Sequence, residues 1–337
     1  MTSSDRVTLF IQEARELGQR AIGKLGYDSE ESAIIADHLM DAELCGYEYS
    51  GLSKILNLAA SPRHRQARSP IRLVKETPIS ALFDGGNNNG MLAVYRATEV
   101  AITKAKASGM CIVGVFDAFN SGRNAYYLER VCKADLVGIH LVSAAPQVTV
   151  PGGKRPVLGT NPIAFGIPTL DEPILFDMAT AALAGSDLMH RERLHEPLPE
   201  AVAVDAEGYP TRDAAAARLG GILTFGGHKG FGLSLCIQAL GLLAGTPSAT
   251  QQYYGFVLLA IDPAMLVPLT DFKRAATDLV ERVKSTPRRA DAGELRLPSE
   301  RAFSERRHRL AEGTITVSRL VYDALNAYSR AAGSKSC

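Results

Sequence analysis

Apolar residues between residues 6 and 25 recur at three- and four-residue steps (Val7, Phe10, Ile11, Ala14, Leu17, Ala21, Leu25). That is the period of one buried helix face, and Gly26 supplies the stop. A second helix is predicted over 28–44, where Asp28 and Glu31 stand three apart as a reciprocal cap ahead of an apolar run. A polar and aromatic segment, 47–54, comes next, then a helical turn or two over 55–60. Residues 61–70 are basic and bracketed by prolines, so they read as an exposed connection. A short strand is predicted over 79–83, a glycine- and asparagine-rich loop over 84–90, and a long helix over 91–108 that Gly109 closes. A buried strand at 111–116 runs into a polar loop, 117–124, which leads to a helix beginning near Tyr126. Another strand follows at 136–142.

The stretch 159–187 holds two short apolar runs joined by a proline-bounded turn, the pattern of a hairpin or of neighbouring strands. Polar groups cluster at the strand ends, where they can face a ligand without breaking a core. Two readings of them stay open. They are a ligand edge, or Asn161-Pro162 is a turn and Asp177 a helix cap. Residues 188–213 are polar and rich in turns. Gly226-Gly227-His228-Lys229-Gly230 then precedes an apolar helix at 233–243, and free backbone, a lysine and a helix start suit an anion. A strand at 255–261, a helix at 271–285 and a basic helical tail through Arg306, Arg307 and Arg309 complete the pattern.

Composition narrows the class. A chain of 337 residues with 46% hydrophobic and 22% charged residues is globular and can bury a sizeable core. A net charge of +1 gives no general pull toward nucleic acid or anionic lipid. The five cysteines (Cys45, Cys111, Cys132, Cys236, Cys337) show no CxxC spacing and read as buried reduced thiols of a cytoplasmic protein. The first five residues lack a signal-peptide pattern, and no apolar run is long enough for a membrane span. The seven histidines are scattered without metal-ligand spacing, so no metal is expected; His38 and His140 read as packing residues.

The motifs Gly159-Thr160-Asn161-Pro162, Asp177-Met178-Ala179-Thr180, Glu196-Pro197-Leu198-Pro199-Glu200 and Gly226-Gly227-His228-Lys229-Gly230, in that order, carry a resemblance over nearly the whole chain. The chain resembles the malate/L-lactate dehydrogenase family, whose members bind NAD(P) without a Rossmann fold. The resemblance implies an α/β fold with a mostly antiparallel sheet flanked by helices. It implies three regions: an N-terminal helical and substrate-side segment (1–75), a cofactor-binding sheet domain (76–260) and C-terminal helices that pack back on the first region (261–337). A homodimer acting on a small-molecule substrate with NADPH or NADH is implied as well.

Carried over by position, the cofactor contacts are Asn120, Ser121, Gly122, Arg123, Asn124, Asp177, Met178, Ala179, His228 and Lys229, with Arg301 and Arg306 on the phosphate side. Thr160 matches a substrate contact, and Asp187 the acidic member of a Ser-His-Asp relay. The chain departs from the family at that relay. Where the family has Ser-His-Gly and then Arg, this chain has Tyr49-Ser50-Gly51 and then Lys54, and a second family histidine is Asn120. Lys54 keeps the charge that holds a substrate carboxylate but loses the bidentate fork. Serine is a poor proton donor, and Tyr49 could serve if a cation such as Lys54 lowered its pKa. A cyclic imine that arrives protonated needs no donor. The expected activity is therefore reduction of a small 2-oxo acid or its cyclic imine. The alternatives are a malate/lactate-type 2-hydroxy acid dehydrogenase and a silent paralogue that keeps cofactor binding. The segment 244–254 is shorter than the family's usual loop; if that loop helps wall the site, the pocket is more open.

Overall fold

The computed structural model describes residues 5–245 and 254–330. Cys337 and most of the short 244–254 segment lie outside the described residues. The chain runs β1 (Arg6–Phe10), α1 (Ile11–Gly23), α2 (Ser29–Leu44), α3 (Ser53–Ala60), β2 (Arg72–Thr77), β3 (Ser80–Asn89), α4 (Gly90–Ser108), β4 (Met110–Phe119), α5 (Ala125–Lys133) and β5 (Val137–Ser143). It continues through β6 (Ile163–Ile167), β7 (Ile174–Met178), α6 (Gly185–Leu194), β8 (Ala203–Val204), α7 (Ala214–Gly220), β9 (Gly221–Ile222) and α8 (His228–Leu240). The last elements are β10 (Gly255–Ile261), α9 (Leu269–Lys284), α10 (Glu300–Glu312), β11 (Thr314–Ser318) and α11 (Arg319–Arg330).

A seven-stranded sheet in the order β2-β3-β4-β10-β5-β6-β7 forms the centre. Strands β3 and β4 run parallel and the other neighbours antiparallel, so the sheet is mostly antiparallel, as expected. The alanines at four-residue steps on α4 (Ala93, Ala97, Ala101, Ala105) bring that helix close onto Val113, Val115 and Leu258 of the sheet. Helix α5 adds Tyr127, Leu128 and Val131 to the same core. The opposite face carries less cover. There Leu141 and Val257 meet Ile237 of α8, while Ile112, Ile139, Ile163 and Leu259 are only half-buried.

Several expectations are corrected. Residues 6–10 form a strand, not the start of a helix, because Val7, Leu9 and their neighbours pair with β11 in antiparallel register (Val7↔Val317, Leu9↔Ile315). Spacing alone could not separate the two, since the partner strand is about three hundred residues away in sequence. Strand β2 went unseen at the sheet edge, where all its residues are exposed and alternation is lost. The glycine-asparagine segment expected as a loop continues β3 through an irregularity between Asp84 and Asn88. Gly85 makes this possible: a Cβ there would lie 2.8 Å from Ala118 Cβ and from two backbone oxygens. The supposedly exposed 61–70 connection tucks Arg63 inward, with Nη2 2.6 Å from Asp117 Oδ1 and Nε 2.5 Å from Asn87 Oδ1. Helix α6 was missed because its sequence is mostly polar and buries only Leu188 and His190.

Two local expectations hold. Asp28 Oδ1 accepts the Glu31 N–H at 2.9 Å and caps α2, and Gly109 takes φ +84 to close α4. Helix α11 returns to the N-terminal helices through a core that joins Leu17, Leu39, Ile55, Val321 and Leu325.

Candidate active site

A cleft of about 470 Å³ opens where α3, the loop before α5, the end of β7 and the start of α6 converge. Of the residues singled out by sequence, Tyr49, Ser50, Lys54, Asn120, Ser121, Gly122, Arg123, Asn124, Thr160, Asp177, Met178 and Ala179 line it.

One wall is the 120–124 loop, held from several sides. The Arg123 N–H donates to His38 Nε2 at 2.8 Å, and Tyr127 Oη donates to the Ser121 carbonyl at 2.6 Å. Gly122, at φ +73, passes so close that a Cβ would lie 2.1 Å from His38 Nε2. Arg123 Nη1 pairs with Asp41 Oδ2 at 2.6 Å, both side chains nearly out of solvent. From β7, Asp177 Oδ2 accepts the Ala125 N–H at 3.0 Å and Oδ1 faces Asn124 Nδ2 at 3.4 Å. The carboxylate thus caps the start of α5 from β7. Burial pushes the Asp177 carboxyl up, against the pull of those donors and of Arg123. His38 is fully buried, and desolvation, Lys54 and Arg123 together hold its imidazole well below its ordinary value. It is a packing residue that also fixes the loop. Asn161, at φ +38, is a structural junction: Oδ1 accepts the Ala144 N–H and Nδ2 reaches Ser234 and Gln238 on α8.

A second wall is formed by the 3-10 turn Glu48–Ser50 and the first turn of α3. Tyr49 packs edge-on to Tyr47, ring centroids 6.1 Å apart. Its phenol is pushed up to about 12 by burial, with Tyr47, Asp187 and Asp177 adding to the rise. The condition under which Tyr49 could donate, a phenol lowered by a nearby cation, is not met: desolvation outweighs the lowering by Arg301. Lys54 is 8% exposed, and burial pulls its ammonium down to about 8. Asn57, one turn further along α3, shares this face and lines the cleft. Sequence reasoning passed over it, although its three-residue step from Lys54 was the available signal. Tyr47, Gln147, Tyr254 and Ser299 also line the cleft without having been singled out.

Five expected residues lie elsewhere. Asp187 is not on the cleft wall; it accepts from Arg191 Nε at 3.1 Å on its own helix. Arg306 does not reach the cleft, because Asp41 and Glu129 hold its guanidinium at 2.9 and 2.8 Å. His228 and Lys229 stand exposed at the start of α8, away from the lining. Arg301 sits at the rim, its guanidinium 4.7 Å from the centre of the Tyr47 ring. Among the described residues no group of three His, Cys, Asp or Glu could hold a metal ion, and no helix is long and apolar enough to cross a membrane. Cys45, Cys111 and Cys132 are buried as expected, but Cys236 is exposed on α8.

A nicotinamide cofactor fits the anchored wall on two counts. Arg123 Nη2, a donor, and Asn124 Oδ1, an acceptor, are both buried without partners, and the ring's carboxamide carries one of each kind. The cleft volume also lies within the range of small-molecule sites.

A family model described as malate/L-lactate dehydrogenase matches residues 10–326. The chain belongs to that family. It is an oxidoreductase, and the family's dehydrogenases use NAD(P)H. L-sulfolactate dehydrogenase of Methanothermobacter thermautotrophicus is 36% identical over 297 residues, covering 84% of this chain and 85% of the relative. The Delta(1)-pyrroline-2-carboxylate/Delta(1)-piperideine-2-carboxylate reductase of Pseudomonas aeruginosa is 28% identical over 334 residues, covering 95% and 98%. The structure of malate dehydrogenase from Pyrococcus horikoshii superposes with a TM-score of 0.87 at 27% identity, covering 98% of this chain and 97% of that one. The family therefore joins 2-hydroxy acid dehydrogenases with a reductase of cyclic imino acids.

Proposed function

We propose that the cleft reduces a small 2-oxo acid, or its cyclic imine of the pyrroline- or piperideine-2-carboxylate type, with NADPH or NADH. The observation that carries this reading is Lys54, a buried cation that lines the same cleft as the 120–124 loop. Its ammonium has no carboxylate partner among the described residues, so a carboxylate on the substrate would complete it. Thr160 would border the same substrate from β6's approach. The cofactor, when bound, supplies hydride; Asn120 to Asn124 and Asp177 to Ala179 would hold its nicotinamide, and Arg301 at the rim would meet its phosphate side. The named substrates of the sulfolactate, malate and pyrroline-carboxylate relatives, small acids with a reducible or oxidisable carbon beside the carboxylate, support this reading. The sulfolactate and malate names favour a second reading, oxidation of a 2-hydroxy acid at the same site.

A homodimer also belongs to the proposal. Leu235, Leu240, Leu242 and Leu243 on and after α8 are exposed, beside the thinly covered face of the sheet. A second copy of the chain would cover this apolar surface.

Absorbance at 340 nm, followed with NADH and NADPH separately against pyruvate, oxaloacetate and the two cyclic imines, tests the reaction. Cofactor-dependent turnover of at least one is expected. Silence with all of them, and with malate, lactate and sulfolactate in the oxidising direction, would contradict it.

A further inference from the structure

Lys54 occupies an uncomfortable place. It lies in the first turn of α3, where the helix dipole opposes a positive charge. Its side chain is 8% exposed, and its ammonium makes no hydrogen bond or ion pair with any described residue. An unpartnered buried cation is held at a cost to the fold, so its retention calls for a use in the cleft that it lines.

Several titratable groups around it are poorly placed or too weakly acidic to deliver a proton to a substrate in that cleft. His38, packed beneath from α2, does not line the cleft, and its Nε2 is taken by the Arg123 N–H. The Tyr49 phenol of the 3-10 turn and the Tyr254 phenol ahead of β10 are both driven up by burial. Asp177 of β7 spends both oxygens as acceptors at the start of α5. Arg123 is paired with Asp41 and Arg218 of α7 with Glu192, and guanidinium groups do not give up protons in this range. Ser50 is a very weak acid.

We propose that Lys54 is the proton donor of the reduction, one Nζ–H holding the substrate carboxylate while another points at the adjacent carbonyl oxygen and passes its proton there. The inference rests on the proposed reading of the cleft as a 2-oxo acid reductase, and it deepens that reading. An ammonium has three donors on one atom, so it can bridge the two neighbouring oxygens of a 2-oxo acid. A guanidinium at this position would grip the carboxylate but keep its protons. The balance closes as follows. A reduced nicotinamide held by the 120–124 loop would supply the hydride, with its electron pair, at the carbonyl carbon and would leave oxidised. The carbonyl π pair moves onto oxygen, the Nζ–H bond breaks and an O–H bond forms. Lys54 is left as a neutral amine that recovers its proton from water. Burial has already brought this ammonium down to about 8, close to where a general acid works best near neutral pH. A cyclic iminium already carries its proton and asks only for the carboxylate contact.

The test uses the full chain, with Lys54→Arg and Lys54→Met beside the wild type. Competitive acetylation with acetic anhydride across pH, read by peptide mass spectrometry, should titrate Lys54 near 8, below the usual lysine value of about 10.4. With a 2-oxo acid, wild-type kcat for reduction should fall as pH rises through the same value. Lys54→Arg should lose that limb and drop about 100-fold or more in kcat, while its nicotinamide affinity stays unchanged and a cyclic imine suffers less. Lys54→Arg that keeps wild-type kcat and the same pH limb would overturn the donor role and leave Lys54 as a carboxylate holder. A Lys54 that titrates with the surface lysines would overturn it too. No wild-type turnover of any 2-oxo acid or imine would instead overturn the reading of the reaction, and the donor role with it.

Discussion

The two walls of the cleft differ in how their polar groups are satisfied. On the 120–124 side, His38, Tyr127, Asp41 and Asp177 each take a bond from or to the loop, so its backbone and the Arg123 side chain are fixed before any ligand arrives. On the α3 side, the Lys54 ammonium has no partner among the described residues, and the Tyr49 phenol is half-buried. Such a division suits a redox site. A planar cofactor gains from a platform whose ordering cost is already met. A substrate and its proton need groups free to bind and exchange. Three departures from the family pattern, at 49, 50 and 54, lie on the second wall, where a change of chemistry does not unfasten the loop; the fourth, Asn120, lies on the loop itself.

The largest expected effect comes from breaking the fixed wall. Gly122→Ala places a Cβ 2.1 Å from His38 Nε2 at φ +73. We expect a loss of about 2–3 kcal/mol in unfolding free energy by denaturant titration, together with weaker nucleotide binding. An unchanged midpoint would show that the loop yields freely.

A middle effect concerns the support behind the second wall. Glu43 Oε1 accepts the Leu52 N–H at 2.7 Å just ahead of α3, while Oε2 is buried without a partner. Burial, and then Glu48, push this carboxyl up to about 8, against the Leu52 N–H and the more distant Arg309 and Arg6. Between its ordinary 4.5 and about 8 the folded chain holds a proton that the unfolded chain releases. Stability attributable to Glu43 is thus full below this window and falls as pH rises through it. Glu43→Gln should flatten that fall in melting experiments across the window; an identical slope in the variant would remove Glu43 as its source. The smallest effect is expected at the rim, where Arg301→Ala should raise KM for NADPH about tenfold and for NADH less. Equal changes for both would deny Arg301 a phosphate contact.

Much of this was legible in the chain. Caps such as Asp28 with Glu31, and stops such as Gly109, act through neighbours, so local sequence reveals them. The motif residues of the 120–124 loop and of β7 line the cleft, and they sit at element ends, where local sequence marks them. What failed depended on distant partners. Strand β1 needs β11, and Arg306 was assigned to a ligand although Asp41 and Glu129 claim it. The direction of the Tyr49 shift turned on burial, which the order of residues does not carry. Asn57 was within reach, since helical spacing puts it on the face of Lys54.

Calorimetric titration of NADPH and NADH into the wild type, Lys54→Met and Gly122→Ala tests the division of the two walls most directly. The account predicts that Lys54→Met binds nucleotide as the wild type does, while Gly122→Ala binds about tenfold or more weakly. Equal loss of binding in both variants, or tight binding by Gly122→Ala, would contradict it.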